Sequence, residues 1–194
     1  EMCIRDSFTL EARDKAQIAK LANRDGFGKR SAEKLFAAID ERRVIPFERF
    51  LFSLGIRHLG EVAAKDLAHH YHGWPALRAA IDAAQPAAIA NIASDEAEAE
   101  ERAAAAQAGR RAEISRARAA ARENVPPEAE AAWQELLSID GVGTTLATSV
   151  VTTLAEGGHE RAAVDDLVAQ LREIVPPESR ATESPVVGLT VVFT

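Results

Sequence analysis

Three seven-residue segments of this 194-residue chain repeat one another position by position. Each begins with glycine or histidine, continues with an apolar residue and a glycine, and has alanine at its seventh position. The segments are residues 26–32 (GFGKRSA), 58–64 (HLGEVAA) and 141–147 (GVGTTLA). An apolar residue follows three positions after each alanine, on the same face of a helix. The repeat predicts three sharp turns, each joining two helices, and repeats of this kind determine an architecture.

The glycine at the third position of each repeat is the residue that we expect to take a positive φ, which glycine adopts at little cost. The helix after the turn begins with N–H groups that have no partner within the helix and lie at the positive end of its dipole. Such amides bind phosphate and do not read bases. The predicted binding residues are Gly26, Gly28, Lys29, Arg30, Arg57, His58, Gly60, Gly141, Gly143, Thr144 and Thr145.

Two other readings of these glycines are weaker. A glycine before an alanine-containing helix also occurs at helix corners that bind nothing, and one copy alone would not decide the matter. Three copies in one short chain favour a nucleic-acid backbone. Residues 26–31 superficially resemble a nucleotide-binding loop, but the Gly-Lys pair is not followed by Ser or Thr and no strand precedes it.

The net charge of −7 is unevenly distributed along the chain. Residues 8–80 carry a net charge of +4, whereas residues 81–140 carry −6 and residues 141–194 carry −4. Because the local field governs attraction of phosphate, the basic surplus beside the first two repeats is compatible with nucleic acid. We expect weak, strongly salt-dependent binding.

Composition favours packed helices over a sheet. Apolar residues make up 47% of the chain, but aromatic residues only 5%. The single cysteine, Cys3, excludes an internal disulfide or a cysteine-based zinc site. His69 and His72 share a helix face, but no third ligand is evident, so we predict no metal ligand. We also predict no catalytic residue. The chain reads as soluble and cytoplasmic, with no membrane association.

The predicted fold is all-α, with tandem helix–turn–helix repeats and one alanine-rich insertion. The second turn follows the first by 32 residues, whereas the third follows after 83, which indicates an insertion at about residues 82–132. That segment is acidic early and basic later, an order that suits a helix dipole. We expect it to form an exposed helical hairpin, or arm, with solvated charges. Residues 176–185 read as a linker and residues 186–194 as a strand, while residues 1–7 fit nothing that follows.

In this order the segments resemble the C-terminal half of bacterial NAD-dependent DNA ligases. Residues 25–33 resemble that family's second helix–hairpin–helix motif, residues 50–61 (FLFSLGIRHLGE) its third, and residues 139–143 its fourth. Residues 186–194 resemble the opening strand of its BRCT domain. The resemblance covers residues 8–194 and implies a helix–hairpin–helix DNA-binding domain at 8–175, a linker at 176–185 and a truncated BRCT domain.

The resemblance also implies what the parent protein does. The family seals nicks in duplex DNA during replication and repair, using an adenylation-domain lysine that takes AMP from NAD. Its helix–hairpin–helix domain binds phosphates on both sides of the nick. NAD, Mg and structural Zn would be bound outside this chain, which we expect to bind nicked double-stranded DNA as a monomer and to be inactive as a ligase. The parent enzyme would lie in the bacterial cytoplasm, at the nucleoid.

Two alternatives stay open on the sequence. One is another helix–hairpin–helix protein of DNA repair or recombination, such as an excinuclease subunit or a junction-binding protein. The other is a helical scaffold that binds only proteins, through the arm or the C-terminal strand. Residues 50–61, and a strand after a proline-rich linker, favour the ligase.

Overall fold

Helices dominate the part of the chain that the structure describes, which is residues 7–178 of a computed structural model. A short 3-10 helix covers Leu21–Asn23. The α-helices are α1 (Leu10–Ala16), α2 (Lys29–Glu41), α3 (Phe47–Ser53), α4 (Glu61–Tyr71), α5 (Trp74–Gln107), α6 (Ile114–Arg122), α7 (Pro127–Ser138), α8 (Thr144–Thr153) and α9 (His159–Val168). The predicted all-α class is confirmed. The strand predicted at residues 186–194, most of the linker and residues 1–6 lie outside the described residues.

Two short strands, for which the sequence gives no signal, interrupt the helices. Strand β1 (Val44–Pro46) pairs in parallel with β2 (Glu173–Val175), with Ile45 opposite Ile174. Each strand has only three residues, too few for an alternating pattern to be recognised. The pair joins the segment after α2 to the segment after α9.

Helix α5 is the central element of the core. It begins at Trp74 with proline at its second position, where a missing N–H costs nothing. Its buried residues Leu77, Ile81, Ala84 and Ala88 follow helical spacing and face α6, α7 and α8. Large buried side chains of the same core come from α3 and α7, and they include Phe47, Phe50, Leu51, Trp133 and Leu136.

The alanine-rich segment forms a helical hairpin, as expected, but the expectation that it is exposed is wrong for its first part. Ala84, Ala87 and Ala88 are fully buried, and so is Ser94. Alanine lets neighbouring helices approach closely, so a helix without large apolar residues can still be buried. The chain reverses near Gly109, at φ +61°, and α6 returns along α5.

Ion pairs and hydrogen bonds within the arm, along α5, across to α6 and to the connection between them, hold its outer part. Glu98 accepts from Arg118 at 2.5 Å and from Arg102 at 2.7 Å. Glu101 accepts from Arg110 at 2.6 Å and from the backbone N–H of Glu113 at 2.7 Å. The acidic-then-basic order therefore reflects pairing across a hairpin, which the helix dipole alone does not explain.

The Glu101 contacts predict that acid loosens the arm. The hydrogen bond from Arg110, followed by that from the Glu113 amide, lowers the pKa of Glu101 to about 2. A lowered folded-state pKa gives stability that is present above the ordinary value of about 4.5 and is lost as pH falls toward 2. NMR signals of the arm amides, followed from pH 6 to 2, should report this opening.

The matched variants are Glu101→Gln and Glu100→Gln, because Glu100 is an exposed carboxyl on the same helix. E101Q should remove much of the pH dependence of the arm, and E100Q should leave it as in the wild type. Equal pH profiles for the two variants would contradict the prediction.

Candidate nucleic-acid interface

The first position of each repeat takes the left-handed conformation, not the third. Gly26 has φ +81°, His58 +69° and Gly141 +75°. The expectation of a positive φ at the third position is wrong, since Gly28, Gly60 and Gly143 are extended, with φ −109°, −80° and −84°. A signal for this was available: two of the three first positions are themselves glycine, each after an aspartate.

The third-position glycines are the N-caps of α2, α4 and α8. Their φ angles suit any residue, and a Cβ built on Gly28, Gly60 or Gly143 would meet nothing within 4 Å. Packing and backbone conformation therefore do not require glycine at these positions.

Glycine at an N-cap leaves the first amides of the helix open. Ser, Thr, Asp or Asn would cover them with a side-chain oxygen, and none of the three caps makes a side-chain hydrogen bond. The cap and the two residues after it are exposed at each turn: 28–30, 60–62 and 143–145. Each repeat thus presents uncapped N–H groups to solvent at the positive end of a helix.

The second and third turns belong to one packed unit. Leu59 and Val142, at the second position, are 6% and 5% exposed. Ala64 and Ala147, at the seventh position, are buried in the same core cluster, together with Leu67 and Val150. A Cβ on Gly141 would lie 3.8 Å from the Asp66 carboxylate of α4, so the third turn borders the helix that follows the second turn.

The first turn lies apart from that unit. Phe27, at its second position, is 39% exposed, whereas Leu59 and Val142 at the equivalent positions are buried. Among residues 7–178, the core cluster includes none before Phe47. Ala32 is buried and Leu35 half-buried, but α2 packs mainly on the 3-10 helix. The structure therefore brings together two of the three predicted turns.

The predicted cationic contacts are exposed. Within the described residues, no ion pair involves Lys29, Arg30 or Arg57, although most other arginines are paired. Thr144 and Thr145 are exposed at the start of α8. Glu61 adds an exposed negative charge behind the second turn, so the positive charge beside the turns is greatest at the first.

Among the neighbouring histidines His69, His70 and His72, His70 contacts other side chains of the protein. The His70 Nε2 lies 3.1 Å from the Glu135 carboxylate on α7, and its ring packs edge-on against Tyr71. From residue 7 to residue 178, no three or more His, Cys, Asp or Glu side chains are grouped to hold a metal ion.

No helix within residues 7–178 has both the length and the apolar character needed to cross a membrane.

Comparison with known proteins bears on these turns. Residues 49–99, which contain the second turn, match the family described as helix-hairpin-helix motif. The chain is 51% identical to the DNA ligase of Ruegeria pomeroyi over 191 residues, 49% to that of Jannaschia sp. and 52% to that of Paracoccus denitrificans. Each alignment covers 97% of this chain.

The chain spans about a quarter of the length of these curated relatives, at 26%, 25% and 25%. No solved structure gives a significant match. The resemblance to DNA ligases drawn from the motifs is confirmed. With half of its residues identical over nearly its whole length, the chain is homologous to a helix-hairpin-helix segment of DNA ligase.

Proposed function

We propose that this chain is the duplex-binding part of an NAD-dependent DNA ligase. It would hold nicked double-stranded DNA by its phosphates, without sequence preference, while the rest of the longer protein seals the nick during replication and repair. The main support is the pair of adjacent, exposed turns whose N-cap glycines the fold does not require. Uncapped amides at a helix N-terminus are suited to bind phosphate oxygens, and they offer nothing to a base edge.

Catalysis would reside outside this chain. From the resemblance, we assign the parent's NAD, Mg and structural Zn to its other segments. The chain alone should neither form an AMP adduct nor join a nick. We propose that the parent acts as a monomer in the bacterial cytoplasm, at the nucleoid.

Salt dependence of binding tests this function. Fluorescence anisotropy with a labelled nicked duplex should show affinity that falls steeply with salt, because phosphate contacts release counterions. Replacing Lys29 and Arg30 by Ala should weaken binding about tenfold and reduce the slope of log affinity against log salt by about two.

The matched control removes two arginines from the arm, Arg111→Ala with Arg116→Ala, and should leave the slope unchanged. Equal effects of the two double variants would favour diffuse attraction to positive charge. Absence of binding at low salt would favour the protein-binding scaffold.

A further inference from the structure

Among the described residues, the first turn is joined to the rest of the molecule mainly at the segment that contains β1. Residues 10–43, which we call the first hairpin unit, contain α1, the 3-10 helix and α2. Within the described chain, the only earlier residue that packs against the core beginning at Phe47 is Ile45 of β1. The position of Lys29 and Arg30 relative to the second and third turns therefore depends on how residues 40–46 meet β2 and the end of α9.

Arg43 makes polar contacts with several segments at that junction. Its Nη1 donates to the carbonyl oxygen of Gln170 at 2.6 Å, and its Nη2 donates to the carbonyl oxygen of Phe8 at 2.5 Å. The guanidinium also lies over the Phe8 ring, 5.2 Å from its centroid. The backbone carbonyl of Arg43 accepts from the N–H groups of Arg172 at 2.8 Å and Glu173 at 3.2 Å. One residue thus binds the end of α2, the segment before α1 and the segment after α9.

Packing alone does not fix this junction. A cleft of about 420 Å³ lies there, with apolar lining that includes Phe8, Val44, Phe52 and Leu171. A second polar tie joins Arg172 to Asp40, with both oxygens at 2.8 Å, but both side chains are more than half exposed. Exposed ion pairs contribute little. Beside the backbone pairing of β1 with β2, two side-chain ties join this junction, and the Arg43 guanidinium is the more buried of them, at 24% side-chain exposure.

We propose that Arg43 is a positioning residue for DNA binding. It makes no phosphate contact itself, but its fork holds the first hairpin unit where Lys29 and Arg30 reach the same duplex as the second and third turns. This inference rests on the proposed function, because it presumes that all three turns bind one DNA.

A mutant cycle tests the role. Arg43→Ala should weaken binding of nicked duplex about tenfold and lower the salt slope by about two, as the Lys29→Ala/Arg30→Ala variant does. Combining all three changes should weaken binding no further than the double variant, since a displaced turn has no contacts left to lose. Arg43→Lys should weaken binding nearly as much as Arg43→Ala, because lysine keeps the charge but lacks the two-pronged geometry.

Several outcomes would overturn the inference. Wild-type affinity in R43K together with loss in R43A would make residue 43 a direct charge contact. Additive losses in the triple variant would do the same. Unchanged binding in R43A would remove the role altogether.

A fold-preserving variant guards against loss of structure. If circular dichroism shows R43A to be partly unfolded, Arg172→Ala is the variant to use, because it removes only the exposed ion pair with Asp40. It should lower the affinity two- to threefold in the wild-type background. In the K29A/R30A background it should have no effect. A loss that persists there would overturn the inference. Unchanged binding in K29A/R30A would also overturn the inference, because the first turn would then not contact the duplex. If the wild-type chain does not bind, the proposed function fails instead.

Discussion

Asparagine at the caps of α4 and α8, Gly60→Asn with Gly143→Asn, should stabilise the fold and weaken DNA binding at the same time. Both caps have extended backbones, and a Cβ there meets nothing within 4 Å. The new side-chain oxygen would accept a hydrogen bond from a backbone N–H at the start of α4 or α8. This should add about 0.3 kcal/mol to the free energy of unfolding per site. The same amide would then no longer be available to bind a phosphate oxygen. At about 1.5 kcal/mol for each hydrogen bond to a charged group, the two losses make roughly a hundredfold in affinity.

Urea unfolding and anisotropy on nicked duplex measure the two effects. Gly158→Asn is the matched control, because Gly158 caps α9 outside the repeats. Its Cβ would lie 3.1 Å from the Ala155 carbonyl oxygen, so it should lower stability somewhat and leave binding unchanged. Wild-type affinity in G60N/G143N would show that the amides do not bind phosphate.

The largest loss of stability should come from Arg161→Ala. Arg161 is 3% exposed, and its two Nη atoms lie 3.1 and 2.9 Å from the carboxylate oxygens of Asp82. Nη1 also donates to the carbonyl oxygen of Leu154 at 2.7 Å, and the guanidinium lies 5.6 Å from the centre of the Trp74 ring. These contacts join α9 to α5 and to the end of α8.

Removing one partner of a buried ion pair costs about 3 to 5 kcal/mol. The lower end, about 3 kcal/mol, applies here because the Asp82 side chain is still 30% exposed and water can solvate it. Urea unfolding measures the loss. The double variant Arg161→Met/Asp82→Leu should lose less than R161A, since it leaves no unpaired carboxylate. An R161A protein as stable as the wild type would contradict this account.

The sequence was sufficient for features that depend on local spacing. The alanines at the seventh position are buried as helical periodicity predicts, and so are Leu67 and Val150, while Leu35 is half-buried. The arm was found from its length and composition, but its burial was not. Alanine carries too little apolar area to reveal whether a neighbouring helix covers Ala87.

Contacts between residues far apart in the chain could not be predicted from the sequence. Asp82 was placed at the edge of an insertion, yet it binds Arg161, 79 residues further along the chain. Nothing in the local pattern distinguishes Arg43 or Arg161 from exposed arginines. At the turns, the residue types indicated phosphate binding, which stays a prediction. The left-handed conformation at the first position has a partial signal in the sequence, since Gly26 and Gly141 each follow an aspartate, but nothing local indicates it for His58.

The left-handed conformation of His58 affects how much of the binding free energy is lost to ordering the turn. An L residue disfavours this conformation by about 1 to 2 kcal/mol, and the burial of Ile56 and Leu59 on either side holds it in place. That turn has therefore already lost its conformational entropy when the protein folds. The first turn has an exposed Phe27 where the other two turns have the buried Leu59 and Val142, so we expect its ordering to lower the affinity when DNA binds. On the proposed function, the second and third turns would be preorganised for binding and the first would adapt to the DNA.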